Sequence, residues 1–419
     1  MDSGTNGRKI LKADDDHDRK AIKILPIEVS QDILARLPVS SLVQASNVSR
    51  AWRQLSIEVS LFNLHLFRIG KKNPSLMFHC LDPAGNQLYF VELADQLCDN
   101  ERVSEINIPF YRSLPDRIHV LDSCNGLLCI SNEFCEDPYY IYNPFVRQSV
   151  QKTNICSRQF GKQIVEVGFG LDPIGNEYKL IKMVYYDEPF PRKVHTRGFP
   201  YYLRSEVQIC NVASNTWKSI GSIPCGFKRP STEHFSSPQD IFCLNGRLYW
   251  LMGSEGQYCI PRIICFDLSS EQFHEVLKPA CGGLNKPNYL LLVSGECLSA
   301  AVYLNNGEVE IWIMKEYNVK ESWIREFVIE APPWNINPRS SNLDCFYVHG
   351  IWANRVLHGR SVRVLCVLKN RVILIQYKNG KLASYDPENG ETRDLWFQGL
   401  PSKYNAVVHF GSLSWIDQQ

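Results

Sequence analysis

The sequence predicts an α+β multidomain protein in which a small three-helix domain precedes an all-β domain, a six-bladed β-propeller. Three observations lead to this prediction. Residues 23–65 carry apolar side chains at helical spacing, and short strand-like runs separated by turn residues fill residues 76–419. Within the second region, one strand–turn phrase recurs at a near-constant interval. The 419-residue length accommodates one small and one large domain.

The first 22 residues show no apolar periodicity, and we expect a disordered lead there. They contain no apolar core of a secretory signal, and no run of 18 apolar residues occurs anywhere in the chain. The formal net charge of +1 lacks the basic excess that drives binding to phosphate backbones. We therefore expect a cytoplasmic and/or nuclear protein with neither membrane nor nucleic acid as its partner.

The chain has 15 cysteines, spread singly and without a Cys-x-x-Cys pair. This pattern favours reduced structural thiols over disulfides or zinc ligands. The phosphate-binding glycine loop, the nucleophile elbow and the His-Glu-x-x-His helix are all missing from the sequence. We expect no metal, no cofactor and no catalytic residue.

Proline and serine residues mark the predicted helices of residues 23–65. Pro26 suits a first helical turn and Pro38 ends that helix. Ser40 and Ser41 are the predicted caps of a second helix, and Ser49 opens the third. Three short helices form a meagre core, so such a domain gains by burying more apolar surface against a partner. The alternative is a helical unit packed on the following domain, with its apolar residues as a private core.

These helices closely resemble the F-box. The matching residues are Leu25-Pro26-x-Glu28-Val29, Ile33-Leu34-x-x-Leu37-Pro38-Val39-x-Ser41-Leu42 and Val48-Ser49-Arg50-x-Trp52-Arg53-x-Leu55. The resemblance implies a surface that docks a Skp-type adaptor. The residues it assigns to docking are Leu25, Pro26, Ile33, Leu34, Leu37, Pro38, Leu42, Val43, Val48 and Trp52. Plant F-boxes often carry basic and cysteine residues just before Val-Ser, where this chain has Gln44-Ala45-Ser46-Asn47.

Asn-Gly pairs and a second turn phrase organise the β domain. Asn-Gly recurs at residues 125, 245, 306 and 379, and it is a strong signal for tight hairpins. The second phrase places Asp or Asn after an apolar strand end. Its anchors are Asp82, Asn143, Asn211, Asp267, Asn318 and Asp386. Their mean spacing of about 61 residues predicts six blades, longer than kelch blades.

The segment 406–410 is strand-like and is predicted to return and complete the first blade. Asp172 starts the same phrase but falls off the period. A pair of β-sandwiches is the alternative architecture.

Two phrases of the β domain resemble plant F-box-associated domains. They are Ser123-Cys124-Asn125-Gly126-Leu127 and Tyr142-Asn143-Pro144-Phe145-Val146-Arg147. Together the two resemblances imply a non-catalytic substrate receptor of an SCF-type ubiquitin ligase. Its F-box would dock the Skp adaptor, and through it a cullin, while the propeller would bind a protein substrate. Substrate-binding residues are not identified. The alternatives are a propeller lectin or enzyme with a helical extension, and an F-box protein that acts outside the ligase.

Overall fold

The computed structural model describes residues 25–56, 58–69, 74–80, 87–93, 101–110, 118–132, 138–153, 163–186, 204–224, 241–252, 261–279, 282–285, 289–304, 306–330, 362–377, 381–401, 404–413 and 416. These residues form four helices at the N-terminal side, followed by six four-stranded antiparallel sheets.

The helices, which we call the head, are α1 (Ile27–Leu34), α2 (Val39–Ser46), α3 (Arg50–Ser56) and α4 (Val59–Ile69). The sequence predicts three helices ending by residue 65, so α4 is an addition to that prediction. Leu61, Leu64 and His65 have the i, i+3, i+4 spacing of one helical face and pack inward. α1 contacts α4, and α2 contacts α3.

Each sheet is one blade. The strands, given from the inner to the outer edge of each blade, are Tyr404–His409 (β26), Ser75–Cys80 (β1), Leu88–Glu92 (β2) and Ser104–Ile106 (β4) in blade 1; Ile118–Cys124 (β5), Leu127–Asn132 (β6), Tyr139–Asn143 (β7) and Gln148–Lys152 (β8) in blade 2; Gln163–Asp172 (β9), Glu177–Tyr186 (β10), Arg204–Asn211 (β11) and Thr216–Gly221 (β12) in blade 3; Phe242–Leu244 (β13), Arg247–Met252 (β14), Arg262–Asp267 (β15) and Gln272–Val276 (β16) in blade 4; Tyr289–Ser294 (β17), Cys297–Tyr303 (β18), Val309–Met314 (β19) and Trp323–Ile329 (β20) in blade 5; and Val362–Val367 (β21), Ile373–Tyr377 (β22), Lys381–Tyr385 (β23) and Thr392–Leu395 (β24) in blade 6.

Two short strands and two helical turns complete the described elements. Glu101–Arg102 (β3) pairs in parallel with Phe397–Gln398 (β25) and joins blade 1 to blade 6. Single 3₁₀ turns occur at Gly283–Asn285 and Lys320–Ser322.

The blades close into a ring around the inner strands. β26 contacts β5, β5 contacts β9, β9 contacts β13, β17 contacts β21, and β21 contacts β26. Blades 4 and 5 meet through β14 and β17. This arrangement confirms the six-bladed propeller, and paired β-sandwiches are wrong. The predicted return strand is confirmed as β26, which pairs with β1 from Ser75 opposite His409 to Cys80 opposite Tyr404.

The core lies between the blades. Six apolar clusters fill the six blade–blade junctions, one at each junction. A middle strand is therefore buried on both faces, as in β1, β6 and β7, where every residue is buried. Burial of each large apolar side chain contributes roughly 1.5–3 kcal/mol, so these junctions hold the ring together.

The recurrent Asp/Asn phrase is a set of turns at the end of the third strand of a blade. Asn143 Oδ1 accepts hydrogen bonds from the Phe145 and Val146 amides at 2.8 and 3.3 Å. The Asn211, Asp267 and Asp386 side chains accept from backbone amides two or three residues onward in the same way. Backbone capping explains these residues without a catalytic role.

Three copies of the phrase depart from that pattern. Asn318 lies in the corresponding loop of blade 5, but its side chain accepts from the Leu277 amide of blade 4 at 2.8 Å. Asp172 makes the same kind of turn between the first two strands of blade 3, which explains why it falls off the period. Asp82 precedes β2 and lies outside the described residues, so the first anchor is untested.

Candidate functional site

Large apolar side chains are exposed on the head. Leu25, Ile27, Val29 and Ile33 have 42–48% of their surface exposed, and Val48 has 69%. Val29 and Ile33 are four residues apart on α1 and so share one helical face. Exposed apolar side chains gathered on one small domain are typical of a protein-binding surface. We call these five residues the head surface.

The ten residues assigned to docking divide by burial. Leu25, Pro26, Ile33, Pro38 and Val48 are exposed. Leu37, Val43 and Trp52 are half-buried and pack against the core between the head and blades 1 and 2.

Leu34 and Leu42 differ from the prediction, because each is 2% exposed and lies in that same core. They support the surface and do not form it. The sequence pattern could not separate them from their neighbours, because motif positions show spacing and not burial. Ile27 and Val29 are additional exposed residues, and their signal was their position in the first turn of the motif.

Polar contacts fix α1 against α4. The Gln31 side chain donates to Glu58 and Ser60, both at 2.7 Å. Arg68 donates to the Asp32 carbonyl at 2.6 Å and also pairs with the Asp32 carboxylate. The hydrogen bonds from Arg68 and then Arg36 lower the pKa of Asp32. α1 is therefore held in a defined orientation, and its exposed face is presented as a fixed surface.

The caps of the head come partly from the propeller. Ser49 accepts from the Trp52 amide at 3.4 Å, as predicted for the start of α3. Neither Ser40 nor Ser41 caps α2. Instead, Glu92 at the end of β2 accepts from the Val39 amide at 2.9 Å and from the Ser40 hydroxyl at 2.6 Å. A carboxylate here satisfies free amides and suits the positive end of the helix dipole.

The chain after β26 also fixes the head. A Cβ at Gly411 would lie 2.7 Å from Val39 and 2.8 Å from Phe145, so the backbone passes tightly between α2 and blade 2. Ser412 donates to the Asn125 carbonyl at 2.7 Å, and its own carbonyl accepts from Asn143 at 3.0 Å. Leu413 belongs to the apolar core that the head shares with blades 1 and 2. The head and the propeller thus share one core.

The Gln44–Asn47 run, which lacks the basic residues of many plant relatives, lies at the end of α2. Arg53 of α3 donates to the Ser46 carbonyl at 3.2 Å, which places a cation near the negative end of the α2 dipole. A basic side chain thus reaches this part of the surface from the next helix.

On the propeller, exposed apolar side chains gather where blades 4 and 5 meet. Leu277, Tyr317 and Val319 are 38–48% exposed. The Arg247 guanidinium lies 4.3 Å from the centre of the Tyr317 ring, and the Tyr317 hydroxyl lies 3.2 Å from Cys265 Sγ. Sequence reasoning names no residue here, although the Tyr317-Asn318 phrase marks the loop.

Two further searches concern metals and membranes. Among the described residues, no group of three or more His, Cys, Asp and Glu side chains is placed to hold a metal ion. None of the helices in the described part of the chain has the length and apolarity needed to cross a membrane.

Comparison with known proteins gives two family matches. Residues 91–392 match the F-box associated beta propeller domain, and residues 22–67 match the F-box-like family. The F-box protein At3g07870 of Arabidopsis thaliana is 36% identical over 405 residues, covering 94% of this chain and 93% of its own. The F-box protein CPR1 of the same plant is 26% identical, with 93% and 88% coverage. The F-box/kelch-repeat protein At3g23880, also from Arabidopsis thaliana, is 24% identical, with 87% and 88% coverage.

Proposed function

The chain belongs to the F-box associated beta propeller family and carries an F-box at its head, and on this premise we propose that it is the substrate-recognition subunit of an SCF-type ubiquitin ligase. The head surface docks a Skp-type adaptor, and through it a cullin. The propeller binds a protein substrate. The observation that carries the proposal is an F-box whose exposed apolar residues face away from the core that the head shares with the propeller.

The proposed contribution to catalysis is proximity. The receptor holds a substrate lysine near a ubiquitin-loaded enzyme on the cullin, which raises the effective concentration of one reactant at the other. A rigid receptor serves this purpose well, because the core shared by head and propeller removes the freedom of a flexible linker. The family assignment favours this non-catalytic role over a propeller lectin or enzyme. We propose that the protein works in the cytoplasm and/or nucleus.

The test is adaptor binding by the purified full chain. Ile33→Asp places a charge on the exposed face of α1 and is expected to weaken binding at least about tenfold. Ile174→Asp is the matched control, because Ile174 is 85% exposed on a turn of blade 3 and its replacement leaves the head surface unchanged. Leu34→Asp is unsuitable because it would disrupt the core.

An Ile33→Asp chain that binds the adaptor as tightly as the Ile174→Asp chain contradicts the proposal, as does a wild-type chain that binds no adaptor. Recovery of the adaptor without cullin would favour an F-box protein that acts outside the ligase. Capture with the folded Ile33→Asp chain, which should escape the ligase, followed by mass spectrometry of bound proteins identifies the substrate.

A further inference from the structure

Two cysteines from blades that are not neighbours in the ring meet at the propeller centre. Cys124 is the last residue of β5 in blade 2, and Cys243 lies in β13 of blade 4. These two inner strands contact each other directly, although blade 3 separates them along the chain. The two thiols share a side-chain hydrogen bond, and the Leu171 backbone lies within hydrogen-bonding reach of both sulfurs.

The local structure leaves room for this pair. A Cβ at Gly170 would lie 2.6 Å from Cys243 Sγ, a distance that real Cβ atoms essentially never show. The glycine therefore allows the thiol to approach the backbone of β9. Cys124 is buried, whereas Cys243 is half-buried, so a small oxidant reaches Cys243 first.

We propose that Cys124 and Cys243 form a reversible disulfide when the protein meets a peroxide, which joins the inner strands of blades 2 and 4. This proposal is independent of adaptor docking. In a reducing compartment the dithiol is the resting form, and the disulfide is transient.

The reaction balances with one peroxide for each pair. The Cys243 thiolate attacks one peroxide oxygen, the O–O bond breaks, and Cys243 becomes a sulfenic acid as water leaves. The Cys124 sulfur then attacks the Cys243 sulfur, the S–O bond breaks, and a second water carries away the Cys124 proton. The thiol pair loses two electrons and the peroxide gains them.

The electrostatic surroundings favour these roles. The hydrogen bond from Cys124 lowers the pKa of Cys243, and the same bond together with burial raises the pKa of Cys124. Cys243 is accordingly the nucleophile and Cys124 the resolving thiol, because the thiolate is the reactive form.

The experiment treats the reduced full chain with hydrogen peroxide, blocks the remaining thiols by alkylation and maps linked peptides without reduction. A peptide containing Cys124 joined to one containing Cys243 is expected. The linked form should unfold about 5 °C above the reduced form, because a cross-link spanning this much chain restricts the unfolded state. Dithiothreitol should restore the original midpoint.

Cys124→Ser and Cys243→Ser should each abolish the linked peptide, and Cys124→Ser should leave a sulfenic acid on Cys243 that dimedone traps. Cys366→Ser is the matched control. Cys366 is buried in blade 6, and burial alone raises its pKa to about 12. Its variant should oxidise like the wild type. If peroxide leaves both thiols of the wild-type chain open to alkylation after unfolding, or joins either to another cysteine, the proposal is wrong. This readout on the wild type does not depend on the folding of any variant.

Discussion

Lys179 lies at the junction of blades 3 and 4 with only 9% of its side chain exposed. Its ammonium group lies 2.9 Å from the Asp172 carboxylate and 3.1 Å from the Glu271 carboxylate. It also donates to the Leu268 carbonyl at 2.7 Å. The turn of blade 3 that begins at Asp172 is thus bound to the Leu268–Glu271 turn of blade 4 by one buried cation.

Replacement of this cation should destabilise the propeller. Lys179→Met keeps most of the side-chain volume but leaves two carboxylates facing each other, and we expect a loss of about 3 kcal/mol in the free energy of unfolding. Urea denaturation measures the difference. Lys218→Met is the control, because Lys218 pairs with the same Glu271 at 2.6 Å but is 58% exposed. The control should lose at most about 1 kcal/mol, and equal losses in the two variants would contradict the buried-cation explanation.

Asp172 makes the stability of this junction depend on pH. Burial raises the pKa of Asp172, but hydrogen bonds from Ser269, Lys179 and two backbone amides outweigh burial and lower the pKa to about 2. The folded state therefore binds this proton more weakly than the unfolded state, whose aspartate pKa is about 3.9. The stabilisation is complete above the unfolded value and disappears as the pH falls towards 2.

Asp172→Asn lacks this titration. The difference in unfolding free energy between wild type and Asp172→Asn should be largest near pH 6 and should shrink as the pH falls from about 4 to 2. Denaturation at a series of pH values measures it. A difference that stays constant over this range would show that the Asp172 carboxylate gains nothing from its ionised form in the fold.

At the scale of elements, hairpins were predictable and their neighbours were not. Asn125-Gly126 and Asn245-Gly246 have positive φ at both residues, as tight hairpin turns require. Asn306-Gly307 has positive φ at its glycine, while Asn379-Gly380 lies outside the described residues. The α2 cap was not predictable, because Glu92 lies more than 50 residues from Val39 and sequence rules for caps consider only nearby residues.

Glu92 gives a prediction for α2 itself. Glu92→Ala removes the acceptor for the Val39 amide and the Ser40 hydroxyl, which costs about 1 kcal/mol in the stability of the helix start. Hydrogen exchange in Val39–Ser46 should accelerate several-fold. Glu105→Ala is the control, since Glu105 is exposed on β4 of the same blade. Equal exchange in the two variants would mean that Glu92 does not stabilise the helix.

At the scale of the whole molecule, the ring depends on β26. This strand supplies the inner edge of blade 1, and Ala406 within it is fully buried. Deletion of residues 404–419 should therefore open the junctions of blade 1 with blades 2 and 6 and abolish cooperative thermal unfolding. Deletion of residues 417–419 is the control and should leave the melting curve unchanged. A cooperative transition at the wild-type temperature in the longer deletion would contradict the role of β26.

The blade count and the return strand were predictable, because each blade repeats a local pattern of strands and turns. The seating of the head was not. Gly411 and Phe145 meet Val39 across long stretches of sequence, and such contacts leave no periodic signal. The same limit applies to the head surface: Ile33 and Leu34 are adjacent apolar residues of one motif, and only packing against the propeller distinguishes the exposed one from the buried one.

The position of β26 in the chain also sets an order of events on the ribosome. The head and all the other strands of the propeller emerge before β26, so β1 has an unpaired edge while the rest of the protein is being translated. An open edge strand invites pairing with other chains. The nascent protein is thus most prone to aggregation just before β26 emerges, and a premature stop codon in this short final stretch would leave the finished chain in that state.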